Sequence, residues 1–261
     1  NIQTIAGDPP TPIEGQVWYN TTSNVLKGYA PVTGAWASGG ALNNANFQAA
    51  GAGLQGAALC MGGHTPDPGG DRVESYDGTS WAVVNSLNNG KYQNAGAGIQ
   101  TAALGFGGNA AVPANSVETE SYDGTCWTQV NDMKTGRQVL GAAGTQTAAL
   151  AFGGVGPPTV AICESYDGTS WSEVADLTKA TSQMAGFGTS TAALSAGGSP
   201  YTPNTMKWDG TSWTEVNNIL TDRRGVQGSG SSTAGMIFGG LENPSVDDVD
   251  YTESYDGTSW T

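Results

Sequence analysis

The apolar residues of this chain fall in short runs broken by glycine, and no window sustains the i, i+3, i+4, i+7 spacing of an amphipathic helix. The stretch from Asn94 to Val130 shows what replaces it. Asn94–Gln100 (NAGAGIQ) is small and weakly alternating, and Ala102–Phe106 is apolar and runs into Gly107-Gly108. Val117–Tyr122 alternates, and Trp127–Val130 alternates again beyond the turn Asp123-Gly124-Thr125-Cys126. Each piece has strand length and is bounded by turn residues, so the pattern predicts four short strands in succession. Almost no helix is expected.

The pattern recurs. ESYDGTSW stands unchanged at Glu74–Trp81, Glu164–Trp171 and Glu253–Trp260, while Glu120–Trp127 differs only by Cys126 and Met206–Trp213 reads MKWDGTSW. Trp36, Trp81, Trp127, Trp171, Trp213 and Trp260 are separated by 45, 46, 44, 42 and 47 residues. Gly-Gly pairs at 62–63, 107–108, 153–154, 197–198 and 239–240 keep step with them. Four short strands at this period are the arithmetic of an all-β propeller blade. The first strand of each unit is nearly all small residues, as a strand crowded around a narrow axis must be. The large aromatics fall on the third and fourth strands, where diverging blades leave a wedge to fill.

Gly-Gly, then a Tyr, then a Trp five residues further, resembles the kelch repeat, whose units are four-stranded blades of a β-propeller. The resemblance covers Ala41–Thr261 as five repeats, 41–87, 88–133, 134–177, 178–219 and 220–261. The arginine that often opens a kelch innermost strand is irregular here, present only as Arg137 and Arg224. Residues 1–40 read as a degenerate first blade: Gln16–Asn20, Asn24–Tyr29 and Gly34–Trp36 supply later strands, and Asn1–Ala6 the closing innermost one. Six blades are therefore expected, in one propeller domain. The alternative is five blades with an N-terminal hairpin adaptor.

Repetition invites the question of whether ESYDGTSW is itself a site. It resembles the Asp-box turn of sialidase-type propellers, one residue shorter, and that box is structural. Asp77, Asp123, Asp167, Asp209 and Asp256 can accept bonds from the following amides, and Gly78, Gly124, Gly168, Gly210 and Gly257 take the positive φ of a tight hairpin. Tyr76, Trp81, Tyr122, Trp127, Tyr166, Trp171, Trp208, Trp213, Tyr255 and Trp260 are assigned to blade packing. Gly51–Gly56 fits the dinucleotide fingerprint, but no helix follows, so no cofactor is expected.

Only 12% of the 261 residues are charged, and the net charge of −14 disfavours duplex nucleic acid and anionic membranes as partners. No apolar run is long enough to insert into a membrane as a helix. The chain begins with Asn and shows no leader, the pattern expected of a processed chain or a fragment. One histidine, His64, and three scattered cysteines offer no zinc or copper set. The acidic run Asp247, Asp248, Asp250 is a weak calcium candidate. Four arginines do not suit a sialidase carboxylate cluster, and no catalytic constellation is read.

Variation is confined to one face. The first-to-second and third-to-fourth turns are nearly uniform, whereas the second-to-third loops and the links between blades differ in length and letters. Lys91, Lys134, Arg137, Lys179, Arg223 and Arg224 lie on or beside those links, and with His64 and Tyr201 they form the expected binding set. Gly7–Tyr29 resembles linker-and-hairpin phrases of tail-fibre and appendage proteins of bacteriophages, marine ones especially. That resemblance implies a non-enzymatic virion or extracellular adhesion protein. Its partners would be a host surface glycan or protein, or another virion protein, with a homo-oligomer possible in the particle. The alternatives are a carbohydrate-active propeller enzyme and a kelch-type interaction adaptor.

Overall fold

The computed structural model describes residues 3–6, 9, 17–22, 24–28, 36–64, 70–110, 114–243 and 248–261. It divides into two compact units, Asn1–Gly39 and Gly40–Thr261. In the first, β1 (Gln3–Ile5), β2 (Val17–Asn20) and β3 (Val25–Gly28) form a small sheet. β2 and β3 are an antiparallel hairpin, but β1 joins β2 in parallel.

The second unit is a β-propeller of five blades, each an antiparallel meander. Blade 1 comprises β4 (Ala50–Leu54), β5 (Ala57–Met61), β6 (Val73–Tyr76) and β7 (Trp81–Val84). Blade 2 comprises β8 (Ala95–Ile99), β9 (Ala102–Phe106), β10 (Thr119–Tyr122) and β11 (Trp127–Gln129). Blade 3 is β12 (Gly141–Thr145), β13 (Ala148–Phe152), β14 (Cys163–Tyr166) and β15 (Trp171–Val174). Blade 4 is β16 (Ala185–Thr189), β17 (Ala192–Ala196), β18 (Thr205–Trp208) and β19 (Trp213–Val216). Around blade 5, β20 (Arg223–Arg224) pairs with β23 (Leu241–Glu242), while β21 (Gln227–Ser231), β22 (Ala234–Phe238) and β24 (Thr252–Tyr255) form the sheet. Trp260, bridged to Tyr255, takes the place of its fourth strand.

The expected six-blade count is not met, and the five-blade alternative is. A blade is antiparallel throughout, so a parallel β1 is not the innermost strand that the sixth would need. The innermost strands pack in the order β4, β8, β12, β16, β21, and no comparable seam joins β21 to β4. The first blade shows the consequence. Tyr76 and Trp81 are half-buried where Tyr122 and Trp127 are buried.

Each seam between blades is a separate apolar core. Between blades 2 and 3, Leu104 and Phe106 meet Tyr166 and Trp171, with the Phe106 and Trp171 rings 4.9 Å apart. Phe152 and Trp213 repeat the contact one seam on, also at 4.9 Å. Close approach makes small residues necessary at the axis: a Cβ on Gly96 would stand 2.7 Å from the Gly51 carbonyl oxygen. Burying one large apolar side chain contributes about 1.5–3 kcal/mol, against a net 0.5–1.5 for a hydrogen bond. The wedges supply the adhesion, and the hydrogen bonds fix the register.

A buried ion pair bolts the links in place. Arg137 is fully buried, its guanidinium donating to Glu164 at 3.0 Å and to the carbonyls of Gly153 and Ile162, all in blade 3. Its own carbonyl accepts from Gly108 of blade 2 at 2.8 Å, so one residue holds two blades. Arg223 repeats this with Glu253 and Gly239 in blade 5, and Lys91 pairs with Glu120 at 3.2 Å in blade 2. Blade 1 substitutes Arg72, 3.2 Å from Glu74. Blade 4 lacks the pair altogether: buried Met206 stands at the glutamate position and buried Thr181 at the cation position. Both charges go together because a buried charge without its partner is costly.

Glu164→Met alone should therefore lower stability by about 3–5 kcal/mol by stranding Arg137. Adding Arg137→Thr, the blade 4 combination, should restore most of it in urea unfolding monitored by tryptophan fluorescence.

Candidate functional site

The links enter each innermost strand through a strained residue. Gln48, Gln93, Val139 and Gln183 have φ of 59°, 57°, 49° and 57°, and the fifth blade uses Gly225 at 65°. Non-glycine residues adopt this left-handed region at a cost of about 1–2 kcal/mol each. A hydrogen-bonded ladder holds them there. The Gln93 amide donates to Gln48 O at 2.7 Å, Val139 to Gln93 O at 2.9 Å, Gln183 to Val139 O at 2.9 Å, and Gly225 to Gln183 O at 2.8 Å. One bond crosses each seam near the axis.

The residue before each ladder position bridges to the residue after the Gly-Gly pair. The bridges are Phe47 to His64, Tyr92 to Asn109, Gln138 to Val155, Ser182 to Ser199, and Arg224 to Leu241. Four are isolated antiparallel bridges and the fifth belongs to a two-residue antiparallel pair, so the position recurs in every blade while the pair of side chains differs each time. These ten residues form the axial rim of the variable face, and they are the candidate binding site.

The rim has distinct sectors. His64 is exposed and lies between Phe47, stacked at 4.8 Å, and Tyr92, edge-on at 5.5 Å. Asn109 donates through Nδ2 to Gln138 Oε1 at 2.8 Å. Arg224 lies 4.8 Å over the Tyr201 ring, and its guanidinium has no carboxylate partner among the described residues.

The structure thus brings His64, Tyr201 and Arg224 to the rim or its edge, and it removes others from the expected binding set. Lys91, Arg137 and Arg223 are 1%, 0% and 0% exposed and serve the bolts, which corrects their reading as a surface cation cluster. Lys134 and Lys179 are exposed, the latter 3.8 Å from Glu215. Asp247 lies outside the described residues, and Asp248 and Asp250 are exposed. Phe47, Tyr92, Asn109 and Gln138 went unnoticed in sequence. Their signal was positional: each stands beside a repeated Gly-Gly or a repeated link residue, yet matches none of its counterparts.

The opposite face carries the repeated turns. Asp77 Oδ1 accepts from the Thr79 and Ser80 amides, both at 2.8 Å, and Asp123, Asp167, Asp209 and Asp256 do the same. Gly78 and its counterparts have φ of 92–96°. Side chains from the neighbouring links reach these turns, as Asn85 does to Thr125 O at 2.7 Å and Asn131 to Thr169 O at 2.9 Å. Burial pushes the Cys163 thiol up to about 12, which keeps it protonated at neutral pH.

No family model matches the chain, and no curated protein matches it. The class is therefore defined by the fold: a β-propeller of small four-stranded antiparallel blades.

The turn aspartates have a pH signature. The backbone amides of the following residues hold all five carboxyls below the usual 3.8. A depressed folded value gives stability that is full above the unfolded value and is lost as pH falls through the folded one. Melting temperature should therefore decline below about pH 4. Asp123→Asn with Asp167→Asn should flatten that decline in thermal melts between neutral and acid pH.

Proposed function

We propose that this chain is a non-enzymatic recognition module of kelch-like blades, carried on a virion appendage. It binds a host surface glycan or protein, or another virion protein, through the rim of the variable face. One observation carries the reading: antiparallel pairings at one equivalent position in all five blades present five different pairs of side chains. Loops on a rigid scaffold are a common seat of recognition, and here the scaffold extends into the loops themselves. The virion setting rests on the resemblance of Gly7–Tyr29 to tail-fibre phrases.

The buried arginines weigh against a carbohydrate-active enzyme built on a guanidinium cluster. Arg137 and Arg223 are sealed in bolts, and Arg72 is engaged with Glu74, which leaves Arg224.

Fluorescently labelled protein incubated with a panel of bacterial cells and envelope fractions tests the reading. Retention on at least one strain is expected. It should be lost on combining Phe47→Ser with Arg224→Ser, and kept on substituting Thr79 and Thr169 on the repeated-turn face. The reverse dependence would overturn it.

A further inference from the structure

We propose that the Phe47–His64–Tyr92 step is a stacking platform for a neutral pyranose ring of a glycan; this rests on the recognition role proposed above. The three rings follow one another across the seam between blades 1 and 2, with centroid separations of 4.8 and 5.5 Å. Phe47 is 57% exposed and His64 is exposed, so the stacked pair presents aromatic surface to solvent and is not part of a core.

The repeats supply an internal control. At the Phe47 and Tyr92 position, blades 3 and 4 carry Gln138 and Ser182 on the same bridge, with the same ladder bond. The backbone geometry therefore does not require an aromatic there. An exposed ring cluster that the fold does not need marks an interaction site.

The neighbouring polar groups select the ligand class. The bond from Asn109 Nδ2 to Gln138 Oε1 leaves Asn109 Oδ1 and Gln138 Nε2 without a hydrogen bond among the described residues. Asn109 is bridged to Tyr92, so an acceptor and a donor sit beside the aromatic step. Aromatic faces meet the C–H face of a sugar, and a planar amide pair meets adjacent hydroxyls, one donating and one accepting. The chain's net charge of −14 disfavours an anionic sugar.

The test uses the full chain and methyl glycosides of glucose, galactose, mannose and N-acetylglucosamine in saturation-transfer NMR. Irradiating aromatic protons should saturate ring C–H protons of at least one glycoside. Phe47→Gln with Tyr92→Ser, which installs residues found at the same position in blades 3 and 4, should weaken that glycoside about tenfold or more. Melting temperature reports whether the variant folds. Cells that retain the protein should release it after periodate oxidation of their glycans and keep it after protease treatment. Cell binding that survives the double substitution, or that protease abolishes and periodate does not, would overturn the glycan platform and leave the recognition role standing. Glycoside binding without cell binding would support the platform and sink the host-surface role. Binding to neither would overturn both.

Discussion

A guanidinium sealed from water joins adjacent blades. Arg137 gives its carbonyl to Gly108 of the preceding blade and its charge to Glu164 of the following one. The links that lead into blades 2, 3 and 5 are fixed by a buried cation in this way. The carboxylate also caps the link, accepting from the Lys134 amide at 2.7 Å, as Glu120 does from Asn88 and Glu253 from Leu220. Apolar wedges alone would hold blades together while letting links drift, because area burial is non-directional. A charge-assisted network specifies one geometry.

The bolt also explains the first letter of ESYDGTSW. The phrase packs three tasks into eight residues. Its Glu anchors the incoming link, its Asp and Gly set the hairpin, and its Tyr and Trp fill the seam with ring centroids about 5 Å apart within each blade. Each task is met by geometry internal to the scaffold, so copying the phrase copies the scaffold. The MKWDGTSW variant keeps the hairpin and the wedge and discards the anchor, and the cation position changes with it.

Much of the architecture was legible because its signals are local and repeat. The period, the strand content, the small innermost strands and the turn role of Asp-Gly follow from residue type and spacing. Ala102–Phe106 was read to the residue. The blade count was not legible, since Trp36 keeps the period of 45 while strand direction, which decides whether β1 can serve as an innermost strand, leaves no trace in spacing. The cations mislead for a similar reason: Lys and Arg in a link have the same letters whether they face solvent or a buried carboxylate. The partner was visible. Glu120, Glu164 and Glu253 accompany Lys91, Arg137 and Arg223, whereas Met206 accompanies Thr181, and that joint change separates a buried pair from a surface patch.

The rim residues depend on strain that the ladder contains. A β-branched Val139 at φ 49° is unfavourable by itself, and it persists because the amides on either side leave the link no other path. Gly225 shows that the same position can be occupied without that cost. Glycine would relax the conformation, but it would also loosen the unfolded-like alternatives of the link and blur the direction of the preceding side chain. Holding Phe47, Tyr92 and Gln138 ahead of non-glycine ladder residues fixes where each side chain points, whatever that side chain is. A surface whose backbone is over-determined and whose side chains are free to change can acquire new specificity by substitution alone, without refolding a loop.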